Sequence, residues 1–365
     1  MERFFELHNE RIIGYKAITD AELGRKPSTH MTHIGLFDDV LTFLPDELRD
    51  DSAMFIYESN ADFLSLNFNR IEHNSSGIYR SPKIITGGRG TVSLVSTIKD
   101  IARNMDAELL WFLFWFGLES GQAVFWLFNN QSQAYKDITN LGLELIYNSK
   151  GRITVNDSIF NKVISYIEST LDTSTQNVIQ ELEIETQIPG KLITERKIRR
   201  YDIQRARTIF TEIGKRGEAL VAEYFDKLKF ENKIKTYNWA NENSESGNPY
   251  DFCYQDLADN VIYLDVKTTK FDFEQKIIYS DKEIDFALTR PNGCYNIYRV
   301  YNLADNSANL RICRDCSSHF ASINTNILDF QSRLNRIETT AQSISIAFQP
   351  TVQNLAFDAK IRLAR

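Results

Sequence analysis

Three polar side chains close together in the chain are of the kinds that hold a divalent cation beside a phosphate. Asp251 begins one predicted strand, and the alternating segment at residues 261–267 carries Asp265 and Lys267. Because side chains alternate along a strand, Asp265 and Lys267 point the same way, about 7 Å apart. Carboxylate oxygens with room for water suit Mg²⁺, and a nearby ammonium can orient or help to deprotonate the attacking water and offset charge on a phosphate. The pattern predicts metal-dependent phosphodiester hydrolysis.

A predicted helix precedes these strands and carries a further carboxylate. Its apolar positions recur at spacings of three and four and define one face: Val221, Tyr224, Phe225 and Leu228. Glu218 falls on that face, where a carboxylate costs free energy unless a cation meets it. The alternative is that Glu218 only supports the first turn of the helix, where a negative charge suits the helix dipole. The two strands favour the first interpretation, in which Glu218 joins the same site.

Five short motifs in a fixed order carry a family resemblance. They are Gly214-Lys215-Arg216-Gly217-Glu218, Tyr250-Asp251, Asp265-Val266-Lys267-Thr268, Ser280 with Glu283, and Tyr298-Arg299-Val300. In the order helix, strand, strand they resemble the PD-(D/E)XK nuclease signature, and more closely the nuclease-like domain named after the C-terminus of the plant NO VEIN protein. The resemblance covers about residues 205–315, and it departs from the signature where Tyr250 separates Pro249 from Asp251.

The resemblance implies a site, a cofactor and partners. The catalytic residues would be Glu218, Asp251, Asp265 and Lys267, and Mg²⁺, with Mn²⁺ as a substitute, would bind Asp251, Asp265 and the backbone carbonyl of Val266. The implied activity is that of a site-specific endonuclease of the type II restriction kind, which cuts double-stranded DNA as a homodimer beside a companion DNA methyltransferase. The alternatives are a modification-dependent endonuclease that senses methylcytosine, a non-catalytic DNA-binding protein on a nuclease fold, and an RNA or structure-specific nuclease.

The length and the motif positions predict several domains. With 365 residues, 42% of them hydrophobic, two or three globular domains are expected. The predicted fold class is multidomain α+β, with a β-rich, pseudobarrel-like domain at residues 1–150, a basic helical linker at 151–213, an α/β PD-(D/E)XK nuclease core with a mixed sheet at 214–320, and an extension at 321–365 as a candidate dimer contact. In the core we expect a helix, three strands, a helix that begins with a capping box at Ser280 and Glu283, and a further strand.

Residues 1–150 carry strand patterns and one polar loop. Strands are predicted at residues 53–57, 63–68, 79–86 and 91–95, and residues 109–116 and 123–128 are predicted to pair as a buried hairpin. The loop at residues 18–37 and the strand at 79–86 loosely resemble the B3-type DNA-binding pseudobarrel of restriction-enzyme effector domains. Basic and histidine side chains suit contacts to phosphates and base edges, so the candidate DNA contacts are Arg25, Lys26, His30, His33, Arg80, Lys83 and Arg89.

A helical and basic segment lies between the two predicted domains. Residues 159–171 form an apolar helical stripe behind a predicted N-cap at residues 156–158. Residues 191–216 carry nine Lys and Arg against three Asp and Glu, in a chain of net charge −7. Such a run is usually a solvated helix face, but beside a phosphodiesterase pattern it predicts a clamp on the phosphate backbone. The candidates are Arg199, Arg200, Arg205, Lys215 and Arg216, with Thr268 and Lys270 near the end of the strand at 261–267.

Composition indicates the compartment. The first residues lack the apolar core of a signal peptide, and the most apolar run, residues 109–118, is too short to span a bilayer. Four unevenly spaced cysteines are typical of a reduced cytoplasm, so a bacterial cytoplasmic protein without a membrane partner is expected. Cys313, Cys316 and His319 have the spacing of half a zinc site, but no second cysteine pair follows, which argues against zinc.

Overall fold

The computed structural model describes residues 3–26, 31–36, 50–69, 76–77, 82–87, 92–186, 203–242, 247–341 and 344–364. Within these ranges the fold is mixed α+β, with two curled mixed sheets, one two-stranded sheet and seven helices, which confirms the predicted fold class. The chain divides into an N-terminal unit (described residues within 3–179) and a C-terminal unit (180–186 and the described residues from 203 onward). No helix in the described part of the chain is long and apolar enough to cross a membrane.

One eight-stranded sheet forms the body of the N-terminal unit. Its strands are β1 (Ile13–Ile18), β2 (His33–Gly35), β3 (Asp50–Tyr57), β4 (Asn60–Asn69), β5 (Lys83–Ile85), β6 (Trp111–Gly117), β7 (Ala123–Asn129) and β8 (Lys150–Ile153). Their order across the sheet is β2-β5-β4-β3-β7-β6-β1-β8. Strands β3 and β7 run parallel, and the other neighbours run antiparallel. The strands predicted at residues 53–57 and 63–68 lie within β3 and β4, and β5 is part of the strand predicted at 79–86.

The centre of this sheet is the aromatic hairpin predicted from the sequence. Strands β6 and β7 pair antiparallel with Trp111 opposite Asn129, and every residue of both strands is buried. Gly14 on β1 leaves room for the Trp115 ring, because a Cβ at this position would lie 2.2 Å from it. The predicted pairing is therefore confirmed, and its aromatic side chains form the core of the unit.

The described part of the N-terminal unit also contains helices α1 (Leu94–Arg103), α2 (Gln133–Asn140) and α3 (Phe160–Ser174), and the first residues of α4 (Gln176–Thr186). The strand predicted at residues 91–95 is wrong. Ser93 instead caps α1 through a reciprocal capping box with Ser96, and the apolar side chains become one buried helix face. Helix α3 follows the predicted stripe, but its N-cap is Ile159 without a side-chain hydrogen bond, so the predicted cap at 156–158 is also wrong.

A buried ion pair fixes the turn after β1. Lys16 Nζ donates to Glu22 Oε1 at 2.6 Å, and the two side chains are 13% and 7% exposed. The second oxygen of Glu22 accepts from the N–H and the hydroxyl of Thr19, and the first also accepts from Gly35 N–H. Burial alone would raise the pKa of Glu22, but Lys16 and these donors lower it below its ordinary value. Glu22 therefore stabilises the folded unit as a carboxylate.

A six-stranded mixed sheet forms the body of the C-terminal unit. From residue 203 the elements are α5 (Ile203–Phe230), β9 (Thr236–Trp239), β10 (Phe252–Gln255), β11 (Val261–Thr268), β12 (Ile277–Ser280), α6 (Asp281–Leu288), β13 (Tyr295–Tyr301), β14 (Ser307–Cys313), α7 (Ser317–Asn335), β15 (Ser345–Phe348) and β16 (Ile361–Ala364). The order across the sheet is β16-β14-β13-β11-β10-β9, with β11 and β13 parallel. Strands β12 and β15 form a separate two-stranded sheet.

Helices cover both faces of the six-stranded sheet. On one face α5 packs against β11, and the ring of Phe225 lies 5.6 Å from Phe252 and 5.8 Å from Tyr298 between centroids. On the other face Tyr295 of β13 joins an apolar cluster with residues of α6 and α7. The predicted order of strands needs two corrections: the short edge strand β9 was not predicted, and β12 lies outside the main sheet.

Candidate active site

Gly217 allows helix α5 to approach strand β11 closely. A Cβ at this position would lie 1.9 Å from Thr268 Oγ1 and 2.8 Å from Thr268 Cβ, so a larger residue would push the helix away. Gly214, one turn earlier, has nothing within 4 Å of an added Cβ. The close approach at Gly217 positions the next residue, Glu218, in the cavity at the end of β11.

Glu218 is held by the indole of Trp239. Its Oε2 accepts a hydrogen bond of 2.8 Å from Trp239 Nε1. Trp239 lies on the edge strand β9, and its ring stacks on Phe252 with 5.4 Å between centroids. Glu218 also acts on Asp251, since burial first and then the charge of Glu218 raise the pKa of Asp251. The structure therefore brings Glu218 beside the predicted carboxylate pair.

Asp251 lies immediately before β10 and is fixed by its backbone and its side chain. Its N–H donates to the Leu264 carbonyl at 3.0 Å, and its carbonyl accepts from Ala240 N–H at 2.8 Å. The carboxylate accepts from Val266 N–H at 2.7 Å and from Asn241 Nδ2 at 2.9 Å. Asn241 was not predicted, because the loop between β9 and β10 that carries it has no motif of its own.

Asp265 lies on β11, and its side chain is only 5% exposed. The carboxyl groups of Asp265 and Asp251 are within hydrogen-bonding reach of one another. Burial raises the pKa of both groups, and the charge of Asp251 raises that of Asp265 further. Two carboxyl groups that are this close and this buried favour a positive charge between them.

Lys267 points to the same side of β11 as Asp265, in agreement with the alternation of the strand. Its Nζ lies 2.7 Å from Asp265 Oδ2 and donates to Glu283 Oε1 at 2.9 Å. The ammonium also lies 4.3 Å from the centre of the Tyr279 ring. Burial alone would lower the pKa of Lys267, but the charges of Asp265 and Glu283 raise it above its ordinary value. Lys267 is therefore an ammonium near neutral pH.

Glu283 connects the start of helix α6 to this cluster. Its Oε2 accepts from Ser280 N–H at 2.5 Å and from Ser280 Oγ at 2.6 Å, which is the capping box predicted for α6. Burial alone would raise the pKa of Glu283, but Lys267 and Ser280 lower it. The sequence indicated only the cap, because Lys267 and Glu283 are sixteen residues apart and meet only where α6 docks.

These side chains line one cavity of about 500 Å³ within the C-terminal unit. Its acidic lining residues are Glu183, Glu218, Asp251, Asp265 and Glu283, and its basic ones are Arg207, Lys215, Lys267, Lys276 and Arg299. All four predicted catalytic residues are therefore together. The sequence did not indicate Glu183 or Lys276 as members of the site, since the first precedes the motifs and the second has no local pattern that distinguishes it. Arg299 belongs to one of the five motifs, but it was not predicted to line the site.

The carboxylate pair fits part of the ligand sphere of Mg²⁺. Asp265 Oδ2 is buried and accepts no well-aligned hydrogen bond, although Lys267 lies near it. Leu264 and Val266 are alternate residues of a strand, so their backbone N–H and carbonyl groups point to the same edge of β11. Asp251 lies at this edge, because its carboxylate accepts from the Val266 N–H. Among the residues that the structure describes, no group of three or more His, Cys, Asp and Glu side chains is placed to hold a metal ion. Further ligands would therefore be the Val266 carbonyl and water.

A match to a protein family covers most of the residues that line this cavity. Residues 217–313 match the family described as Protein NO VEIN, C-terminal. The match covers just over a quarter of the chain and includes the four predicted catalytic residues and Glu283, whereas Glu183 lies outside it. The predicted resemblance to the NO VEIN C-terminal family is confirmed for these residues, and the nuclease activity and the B3-type resemblance stay predictions. No curated protein matches the chain.

The candidate DNA contacts of the N-terminal unit differ in their surroundings. His33 on β2 and Lys83 on β5 lie on neighbouring strands, and burial and then the charge of Lys83 lower the pKa of His33. Lys26 is exposed. Arg25 is only 10% exposed, and its guanidinium donates to the carbonyls of Ala102, Asp106, Ala107 and Leu109. The other three candidates lie outside the described residues: His30, Arg80 and Arg89.

The candidate DNA contacts near α5 also differ in their exposure and in their hydrogen-bond partners. Lys215 is exposed and lines the cavity, as does the partly buried Thr268. Arg216 donates to the Ala304 carbonyl at 2.8 Å and lies 3.5 Å from the Asp305 carboxylate. Two further candidates are half-buried, Arg205 and Lys270, and two lie outside the described residues, Arg199 and Arg200.

Cys313 and Cys316 are buried, and each thiol has a partner in the fold. Cys313 Sγ donates to the Asp315 carbonyl at 3.3 Å, and Cys316 Sγ donates to the Tyr295 carbonyl at 3.7 Å. Burial raises the pKa of both thiols, which favours the protonated form over the thiolate that binds zinc. His319 packs on the Phe348 ring at 4.7 Å between centroids.

Proposed function

We propose that the C-terminal unit is a Mg²⁺-dependent endonuclease that hydrolyses phosphodiester bonds in double-stranded DNA. The observation that carries the proposal is the meeting of Asp251, Asp265 and Lys267 in one cavity that Glu218 also lines. Two carboxyl groups within hydrogen-bonding reach and an ammonium 2.7 Å from one of them are the groups that such hydrolysis uses.

Asp251, Asp265 and the carbonyl of Val266 would hold Mg²⁺, which supplies a Lewis acid for the phosphate and lowers the pKa of a coordinated water. The surrounding residues of this chain fix these ligands in place. Asn241 and the Val266 N–H hold the Asp251 carboxylate from two sides. Trp239 holds Glu218, whose remaining lone pairs can orient water. Fixed partners of this kind orient ligands and increase their affinity for the metal.

Lys267 supplies positive charge beside the reacting phosphate. Its ammonium lies between Asp265 and Glu283, so its position is set before the substrate binds. Because its raised pKa keeps it protonated, Lys267 donates hydrogen bonds to the attacking water or to a phosphate oxygen. The stabilisation of negative charge in the transition state is its main contribution, and proton removal falls to another group.

For the N-terminal unit we propose the recognition of DNA. The exposed Lys26 and the neighbouring His33 and Lys83 support this proposal, because they present donors for phosphates and base edges. Cutting both strands needs two catalytic cavities, which a homodimer would supply, and a companion methyltransferase would protect the host DNA. A modification-dependent enzyme would share the same cavity and differ in what the N-terminal unit recognises.

Cleavage of plasmid and genomic DNA, methylated and unmethylated, tests the proposal. Wild type, Asp265→Asn and Lys267→Met would each be incubated with Mg²⁺ or with EDTA. We expect discrete fragments from the wild type with Mg²⁺ alone, and cleavage that is about 100-fold slower or more for either variant. Asp259→Asn is a matched control, because Asp259 lies in an exposed turn with a positive φ that Asn also tolerates.

Two outcomes would change the assignment. If the wild type binds DNA but does not cut it with Mg²⁺ or Mn²⁺, and Asp265→Asn binds equally well, the protein is a DNA-binding module and the endonuclease proposal fails. If fragments come only from methylated DNA, the modification-dependent alternative is correct. The ends of the fragments would give the recognised site in either nuclease case.

A further inference from the structure

One strand beside the candidate active site comes from the chain after the region that matches the NO VEIN C-terminal family. Strand β15 (Ser345–Phe348) lies beyond residue 313, where the match ends. It pairs antiparallel with β12, which places Tyr279 opposite Ile346. Among the described strands, β15 is the only one that pairs with β12. The position of Tyr279 therefore depends on a segment outside the matched region.

The same segment also holds the start of helix α6. The N–H of Asp281, the first residue of α6, donates to the Ile344 carbonyl at 2.9 Å. This bond and the strand pairing join the segment to every residue of β12 and to the first residue of α6. Two groups that contact the Lys267 ammonium lie on these elements: the ring of Tyr279 on β12 and the carboxylate of Glu283 on α6.

Tyr279 connects β15 to Lys267 through direct contacts of its ring. Lys267 Nζ lies 4.3 Å from the ring centre. The ring stacks on Phe348 of β15, with 5.9 Å between centroids and 12° between planes, and it meets Phe320 edge to face with 5.0 Å between centroids. All three rings are buried. Because buried side chains are closely packed, the ring of Tyr279 cannot turn without displacing its neighbours.

The hydroxyl of Tyr279 does not account for the place of this side chain in the fold. It is buried, and it has no hydrogen-bond partner among the residues that the structure describes. A buried hydroxyl without a partner costs free energy, so the hydroxyl does not hold the ring in place. The ring itself can stabilise the Lys267 ammonium, because the negative charge of a π-face attracts a cation, and it does so more strongly where water is excluded.

We propose that Tyr279 is a positioning residue for Lys267, and that β15 holds Tyr279 in place through Phe348 and the pairing with β12. The segment at residues 345–348, expected from the sequence only as part of a candidate dimer contact, then completes the active site of its own chain. Because Asp265 is also a proposed metal ligand, the ring of Tyr279 and Glu283 are the partners of Lys267 that take no part in metal binding. The inference rests on the proposed function in taking Lys267 as the cation beside the reacting phosphate.

DNA cleavage by variants of Tyr279 and Phe348 tests the proposal through kcat. Tyr279→Leu removes the π-face and should lower kcat by about 10-fold with KM for DNA nearly unchanged, because the ring acts on the position of Lys267. Tyr279→Phe keeps the ring and should retain at least about half of the wild-type kcat. Phe348→Leu should lower kcat less than Tyr279→Leu does, since the ring of Tyr279 is still present but less firmly held. Phe273→Leu is the matched control and should keep the wild-type kcat, because it removes a buried ring whose cation, Arg311 at 4.2 Å, does not line the cavity.

A graded series at residue 279 separates the electrostatics of the ring from its packing, and it does not depend on whether Tyr279→Leu folds. Phenylalanine and its mono-, di- and trifluorinated forms have nearly the same shape, whereas each fluorine weakens the attraction of the ring for a cation. We expect kcat to fall stepwise along this series while KM changes little. If kcat is the same for all four side chains, the ring only fills space and the positioning role of Tyr279 fails. If the series is graded but Phe348→Leu has the wild-type kcat, the role of β15 fails.

Nuclear magnetic resonance of Lys267 tests the contact without catalysis. In protein with lysine labelled at the ε-carbon, the ring current shifts the signal of a methylene that lies over a ring face upfield, and the Lys267 signal is identified by its loss in Lys267→Met. The upfield shift should be present in the wild type and in Tyr279→Phe, smaller in Phe348→Leu and absent in Tyr279→Leu. A Lys267 signal without this shift in the wild type would overturn the proposal.

The two proposals fail in different ways. Wild-type protein that never cuts DNA, together with an upfield Lys267 signal that Tyr279→Leu removes, would exclude the nuclease and keep the role of Tyr279 in holding Lys267. Wild-type protein that cuts DNA, together with a kcat that stays constant along the fluorinated series, would keep the nuclease and exclude the positioning role.

Discussion

Lys267 Nζ donates to Glu283 Oε1 at 2.9 Å, while the other oxygen of Glu283 closes the capping box of helix α6 with Ser280. One carboxylate therefore caps the start of helix α6 and holds the ammonium of the candidate active site. The first turn of α6 and the position of Lys267 are coupled through this single side chain. A change at Glu283 can consequently alter activity without any contact to the substrate.

Glu283→Gln should separate these two roles. Gln at the third helical position preserves the capping box, so the free energy of unfolding should change little, whereas the charge that fixes Lys267 is lost. We expect kcat for DNA cleavage to fall by about 10- to 100-fold, as for other partners that orient a site, with KM nearly unchanged. Asp285→Asn, on the exposed side of the same helix, is the control. A Glu283→Gln protein with full activity would contradict a positioning role.

Substitution of the two glycines of the motif at residues 214–217 by alanine should change the free energy of unfolding in opposite directions. Gly217→Ala places a methyl group 1.9 Å from Thr268 Oγ1, and such overpacking should lower the free energy of unfolding by about 1–3 kcal/mol. Gly214→Ala meets nothing within 4 Å and should raise it by about 0.5–1 kcal/mol, because Ala favours the helix. Denaturant unfolding of both variants measures the difference. Equal effects at the two positions would mean that α5 does not pack on β11 as described.

Glu22 should make the stability of the N-terminal unit depend on pH in the acid range. Its folded pKa lies below its ordinary value, so its contribution is fully present above an unfolded pKa of about 4.3 and is lost as the pH falls through the folded pKa. Glu22→Gln leaves Lys16 without a counter-charge and should cost about 3 kcal/mol at pH 7. The difference in the free energy of unfolding between Glu22→Gln and the wild type should become smaller below about pH 4.

Amide hydrogen exchange of strand β1 at several pH values measures this effect in the N-terminal unit alone. Glu144→Gln changes an exposed carboxylate in the same unit and should follow the wild type at every pH. A constant difference between Glu22→Gln and the wild type from pH 7 to pH 3 would show that the ionisation of Glu22 does not stabilise the fold.

Arg25 and Lys26 are adjacent in the sequence and should have different roles. Arg25 donates to four backbone carbonyls, and Arg25→Lys keeps the charge but cannot reach all of them, so the free energy of opening around α1 should fall by about 1.5–3 kcal/mol. Lys26 is exposed, and Lys26→Gln should weaken DNA binding without loss of stability. The slope of log K for DNA binding against log salt concentration should become shallower by about one.

Hydrogen exchange and DNA-binding titrations at several salt concentrations, made on both variants, test this division. If Arg25→Lys is as stable as the wild type but binds DNA weakly, the guanidinium contacts the nucleic acid, and the original prediction for Arg25 holds. If Lys26→Gln binds as the wild type does at every salt concentration, Lys26 is no phosphate contact.

Structural features that depend on a few neighbouring residues were predictable from the sequence. The prediction was wrong where two such local patterns competed. Alternation along residues 261–267 placed Asp265 and Lys267 on one side of a strand, and the spacing of Ser280 and Glu283 predicted the start of α6; both agree with the structure. The strand predicted at residues 91–95 failed, because the capping box of Ser93 and Ser96 outweighs the strand propensity of the apolar residues beside it.

The sequence by itself determined the kinds of groups in the candidate site, since residue type, strand alternation and helix caps depend on neighbours within a few positions. Only the tertiary structure decided which of these groups meet. Trp239 donates to Glu218 and Lys267 donates to Glu283 because strands pair in a particular register and helices dock at particular residues. Those contacts join residues far apart in the chain, where no local pattern specifies a partner, and they hold Glu218 and Lys267 in place in the cavity.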